Sequence, residues 1–105
     1  MSSTQSQIQT NQEDNLFVNF TDPKFSLIAK ALSSKTRRAI ILLINKEPLD
    51  VSRISQNLGQ TEANISAQLK ILDKAGLVTC SYSPGSHGVR KICSPVYKKI
   101  EIELI

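Results

Sequence analysis

The chain has 105 residues, enough for one domain with a modest core, and 40% of them are apolar, close to the globular average. No apolar run reaches the roughly 20 residues that a membrane helix needs, and residues 1–12 lack the basic start and apolar centre of a signal peptide, so a cytoplasmic protein without membrane contact is expected. The formal charge of +4 is unevenly spread. Residues 1–22 hold three acids and no base, whereas residues 23–99 hold all thirteen bases and four acids, a net +9. A basic body of this kind attracts polyanions, nucleic acid first, although a merely soluble basic protein has the same composition.

Residues 1–14 are rich in Ser, Thr, Gln and Asn and have little to bury, which predicts a disordered tail ahead of a folded domain at 15–105. Leu16, Phe17, Val18 and Phe20 form an apolar patch too short to fold alone, so it should dock on the body or on a partner. Asp22-Pro23 starts a first helix, as an N-cap followed by a residue whose missing N–H costs nothing in the first turn. Leu27, Ile28, Ala31 and Leu32 follow at helical spacing. Ser33-Ser34 ends that helix and caps a second over residues 35–46, with Ala39, Ile40, Leu43 and Ile44 on one side. Lys35, Arg37 and Arg38 crowd its first turn, where cations oppose the helix dipole unless an anion lies nearby, a small hint of a phosphate contact.

Pro48 breaks the chain, and Leu49 or Asp50 begins a short third helix with Val51, Ile54 and Leu58 inward. Gly59 closes it in the manner of a C-cap glycine. Thr61 caps a fourth helix reaching about Ala75, with Ile65, Leu69 and Leu72 as its buried stripe and Gly76 as its stop. Leu77 to Tyr82 reads as a strand, Ser83 to Gly88 as a six-residue loop, and Val89 to Cys93 as the returning strand. Ile100, Ile102 and Leu104 alternate with Glu101 and Glu103, the two-residue period of a final half-buried strand, with room for a helical turn at 96–99.

The third and fourth helices, joined by a tight turn at Gly59-Gln60, have the arrangement of a helix-turn-helix, whose second helix enters the major groove. On a wheel of about 100° per residue the outer face of the fourth helix holds Ala63, Asn64, Ala67, Lys70 and Lys74, flanked by Ser66 and Gln68. Small residues permit close approach, amides pair with base edges, and lysines meet phosphate. An ordinary amphipathic helix with a solvated polar face is the plainer reading. The hairpin that follows shifts the balance. It carries His87, Arg90 and Lys91, and no acid occurs between Lys74 and Glu101, as suits a wing placed to touch phosphate or the minor groove.

With these residues in view, the chain resembles the ArsR type of winged helix-turn-helix regulators over residues 24–93. LIAKALSSKTRRAIILLI is similar to that family's opening pair of helices, and ISQNLGQTEANISAQLKILDKAGLV to its helix-turn-helix and the lead into the wing. The tail HGVRKICSPVYKKIEIEL resembles small archaeal proteins of this type. The resemblance implies an α+β, mainly helical fold with a hairpin wing and a short C-terminal strand. It implies double-stranded DNA as partner, with contacts from Gln60, Thr61, Asn64, Ser66, Gln68 and Lys70, and from Arg90 and Lys91 on the wing. It also implies a homodimer, for which the patch at residues 16–20, the first helix and the strand at 100–104 are interface candidates. Two departures stand out. Gln68 occupies a position where many members have His. The segment Leu49-Asp50-Val51-Ser52-Arg53-Ile54 lacks the Cys-containing motif of metal-sensing members, so no metal or other cofactor is expected.

Cys80 and Cys93 fall on the two wing strands. Two half-buried thiols are the plainer reading, and a disulfide or redox pair the sharper one. No nucleophile, base and orienting group occur together, nor a phosphate-cradling glycine loop, so an enzyme is not expected. The sequence supports a sequence-specific, dimeric transcriptional regulator. A non-specific architectural DNA-binding protein and a winged-helix module that binds protein are the alternatives.

Overall fold

Helix boundaries follow local capping chemistry. The computed structural model describes residues 15–85 and 88–105, so the tail expected at residues 1–14 and the side chain of His87 lie outside the described residues. Helix α1 spans Phe25–Leu32 and helix α2 spans Lys35–Lys46. Asp22 acts one turn ahead of α1: its carboxylate accepts the Lys24 N–H at 2.8 Å and its carbonyl accepts the Phe25 N–H. Ser34 caps α2 by accepting the Arg37 N–H at 3.2 Å. Helix α3 is Val51–Leu58 and helix α4 is Glu62–Lys74, capped by the side chains of Asp50 and Thr61 respectively.

The strands form two small sheets. Strands β2 (Leu49–Asp50), β3 (Val78–Gly85) and β4 (Gly88–Pro95) make an antiparallel sheet in the order β2-β4-β3. The hairpin is longer than expected. Ser83 pairs with Arg90, Pro84 with Val89 and Gly85 with Gly88, so residues 83–88 are not a six-residue loop. Gly88 adopts φ +110°, a conformation open to glycine, which allows the strands to run on to the tip. Pro84 is tolerated because β3 is an edge strand. The second sheet pairs β1 (Asn15–Asn19) with β5 (Lys99–Glu103) in parallel, Leu16 opposite Ile100 and Val18 opposite Ile102. No helical turn forms at 96–99; the chain bends there and enters β5.

One apolar core unites these elements. Ile28 and Ala31 of α1, Ile40 and Ile44 of α2, Ile54 of α3 and Ile65, Leu69 and Leu72 of α4 are buried together with Val18, Leu49, Leu77, Val78 and Cys93. The core thus holds the back of α4 and the base of the hairpin, and leaves the outer side of both to solvent. Among the described residues no buried side-chain nitrogen or oxygen lacks a hydrogen-bond partner, and no helix is long and apolar enough to cross a membrane.

Candidate nucleic-acid interface

The turn between α3 and α4 is set by one glycine and one threonine. Gly59 ends α3 in the left-handed region (φ 64°), where a side chain would be strained, and the Gln60 N–H returns to the Ser55 carbonyl at 3.0 Å. Thr61 then accepts the Asn64 N–H at 3.0 Å, and Glu62 places an acid at the positive end of the α4 dipole. With Ile65, Leu69 and Leu72 buried, Ala63, Ser66, Ala67, Lys70 and Lys74 are exposed along the helix. Asn64 departs from the expected open outer face. It is half-buried on the same flank as Gln68. Lys30, Lys70 and Lys74 rim an open groove of about 300 Å³ floored by Leu27, Ala67 and Ile71, which adds cationic surface beside α4.

Two of the three cations of the first turn of α2, Arg37 and Arg38, are engaged within the chain. Arg37 is 9% exposed, and its guanidinium donates to the carbonyls of Ala31 (Nε, 2.9 Å) and Lys30 (Nη2, 2.7 Å) and to Oε1 of Gln68 (Nη1, 2.6 Å). Arg38 donates to the Leu32 carbonyl at 2.6 Å. These carbonyls end α1, the negative pole of its dipole, so the positive charge that opposes the start of α2 serves the end of the preceding helix. Arg37, expected on the DNA-facing surface, is instead buried with its donors turned inward. Arg38 remains exposed but is tied to the same helix end.

The hairpin projects beyond the core. Alternation along β4 puts Cys93, Lys91 and Val89 on one face and Ile92 and Arg90 on the other. On the first face Tyr82 pairs with Lys91, and both Tyr82 (72% exposed) and Val89 stand in solvent. On the second, Arg90 Nε lies 3.6 Å from the carboxylate of Asp50, the residue that caps α3. Cys80 and Cys93 are directly opposed across the hairpin base and joined in a disulfide, and Cys93 is fully buried.

Residues 34–79 match the family described as "Bacterial regulatory protein, arsR family". The chain folds as a winged helix-turn-helix, and the matched segment is similar to the arsR family. In structure it is similar to the homodimeric winged helix-turn-helix DNA-binding domain of Mb0332 from Mycobacterium bovis, described as a possible ArsR-family transcriptional regulator, with 25% identity and a TM-score of 0.62. The match covers 70% of this chain and 64% of that one, so the chain spans less than two thirds of that relative. Reduced HlyU from Vibrio cholerae shares the fold at 20% identity and a TM-score of 0.61, over 71% of this chain and 75% of that one. The cadmium metal-sensor CMTR from Mycobacterium tuberculosis aligns at 25% identity and a TM-score of 0.55, over 69% and 71%. No curated protein matches the chain in sequence.

Within this winged helix-turn-helix the sequence-derived site residues divide into groups. Gln60, Asn64, Gln68 and Arg37 come together in one hydrogen-bonded row. Thr61, Ser66 and Lys70 are exposed on or beside α4. Lys91 and Arg90 point to opposite faces of the wing, so they do not act as a pair. Sequence reasoning missed Tyr82, which the two-residue alternation of β3 places beside Lys91, and it missed Asp50 as the partner of Arg90. No sequence signal pointed to that ion pair, because it depends on β2 joining the sheet.

Proposed function

We propose that this ArsR-type domain binds double-stranded DNA sequence-specifically, as a homodimer, and regulates transcription. The observation that carries the proposal is a donor-rich surface on which the exposed acids of α4, Glu62 and Asp73, stand only at the two ends of the helix. Residues 63–72 of α4 and residues 75–100, wing included, contain no Asp or Glu; the exposed side of α4 offers Ser66, Lys70 and Lys74, and the half-buried amides of Asn64 and Gln68 lie on its flank. Lysines supply sequence-independent affinity through phosphates, and amides beside small residues supply base reading. On the wing, Lys91 with exposed Tyr82 and Val89 suits a groove edge. Homodimerisation is supported by the β1–β5 ribbon. It exposes Phe17, Phe20, Ile102 and Leu104, and its strand edges lack partners within the described chain. The resemblance of the tail to small archaeal proteins is part of the same proposal.

The test is selection from a pool of random duplexes by the purified protein, repeated over a salt series. A palindromic enriched site is expected, with half-sites about one helical turn (roughly 34 Å) apart and log affinity falling by about 0.9 per phosphate contact for each unit of log salt. Salt-sensitive binding with no enriched sequence would leave a non-specific architectural protein. No binding at low salt would leave a protein-interaction module.

A further inference from the structure

A guanidinium has five N–H donors and no acceptor, and it stays ionised throughout the pH range of folded proteins. Arg37 is held on several sides. Its backbone N–H is bound by Ser34 and two of its side-chain nitrogens by the last carbonyls of α1. The remaining bond, from Nη1 at 2.6 Å, reaches Gln68. An amide side chain has a donor end and an acceptor end, and beside a guanidinium only the oxygen end is tolerated. Gln68 is thereby turned with its NH2 outward.

That orientation propagates. Gln68 Nε2 donates to Asn64 Oδ1 at 3.1 Å, so Asn64 also faces its NH2 outward and donates from Nδ2 to Gln60 Oε1 at 2.8 Å. Gln60 is exposed at the turn before α4, and its NH2 ends the row. Positions 60, 64 and 68, four residues apart, keep the three amides on one flank. Each amide has its oxygen toward Arg37 and its nitrogen toward the open end.

We infer that Arg37 is a specificity-determining positioning residue: it sets the polarity of the Gln68–Asn64–Gln60 row, so that the open end presents donors and selects bases with acceptor edges. In the major groove guanine shows adjacent O6 and N7 acceptors and thymine shows O4, whereas cytosine shows only the N4 donor. An amide free to rotate pairs with adenine through one donor and one acceptor. The row disfavours that, because Oε1 of Gln60 already accepts from Asn64. Guanine is the preferred base opposite Gln60. This inference rests on the DNA-binding reading and deepens it.

The test compares selected sites for the wild type and for Gln68→Glu, with Arg37→Lys as a second variant. In Gln68→Glu the new carboxylate still accepts from Arg37 but has no N–H for Asn64. Asn64 therefore turns round to donate to it and takes a hydrogen bond from Gln60, whose oxygen becomes the outward group. The expected result is that one base position per half-site switches from guanine to a donor-edged base, cytosine or adenine, by roughly tenfold in relative enrichment. The extra negative charge weakens binding to all duplexes without itself changing the ranking at that position. Arg37→Lys keeps the charge but not the planar fork, and preference at the same position flattens while neighbouring positions keep theirs. An unchanged base preference in Gln68→Glu overturns the inference while leaving DNA binding intact. A wild type that enriches no sequence overturns both.

Discussion

At the scale of single residues, two adjacent arginines have opposite weights. Arg37 and Arg38 both reach back to the end of α1, yet Arg37 is buried with three side-chain bonds and Arg38 is exposed with one. Hydrogen bonds from a charged donor contribute about 1.5–3 kcal/mol each when removal leaves buried acceptors, and an exposed charge contributes roughly 1 kcal/mol or less. Arg37→Met, which keeps most of the stem, should lower unfolding stability by about 3 kcal/mol. Arg38→Met should lower it by less than about 1 kcal/mol. Urea midpoints measure both, and equal losses would contradict the burial argument. In sequence the two positions are indistinguishable. Both are cations in a first helical turn, and only the packing of α1 and α4 around one of them separates a structural role from a surface one.

At the scale of elements, the wing is a ribbon with two distinct faces, closed by a disulfide at its base. Lys91 stands with Tyr82 on one and is not engaged by an acid among the described residues, whereas Arg90 faces Asp50 on the other. Lys91→Ala should weaken all duplexes alike and reduce the salt slope by about one, while Arg90→Ala should change the slope by less. A salt titration on a single duplex decides between them, and equal slopes would mean that Arg90 leaves Asp50 when DNA arrives. The disulfide closes the base of the same ribbon across a sequence separation of 13 residues. Chain-entropy arguments assign such a loop about 3 kcal/mol, so the double variant Cys80→Ala with Cys93→Ala should unfold at a correspondingly lower denaturant concentration. No difference between the double variant and the wild type under non-reducing conditions would mean that the native hairpin is equally restrained without the bond. The helices of this domain were legible because their signals are local: Ser34, Gly59, Thr61 and Gly76 each act within a few residues of themselves. The hairpin tip was misjudged because Pro and Gly ordinarily mark loops, and here an edge strand tolerates them. Strand β2 was illegible, since two residues have no periodicity and exist as a strand only through pairing with Ile92 and Cys93.

At the scale of the whole molecule, the two ends of the chain meet. Strand β1 pairs with β5 across 84 residues of sequence, Asn15 opposite Lys99 and Asn19 opposite Glu103, a contact that no local pattern announces. Parallel strands are ordinarily covered on both faces. Among the described residues this pair is covered on one. Leu16, Val18 and Ile100 lie against the core, while Phe17 is 58% exposed on the outward side next to Glu101. An open apolar ribbon of this kind is accounted for if a second copy covers it, and under the proposed function the two α4 helices would then share one duplex. Phe17→Asp places a charge on the outward face and leaves Val18 and the core untouched. The wild type is expected to sediment as a dimer at micromolar concentration, and Phe17→Asp as a monomer with the same helical content. Because joining two half-site contacts multiplies affinity by about a hundredfold or more, the variant should lose that factor on a palindrome and keep wild-type affinity for an isolated half-site. A Phe17→Asp protein that still sediments as a dimer would move the interface to another face, with α1 and its neighbouring lysine groove next in line. A wild type that remains monomeric would remove the symmetric operator from the proposed function altogether.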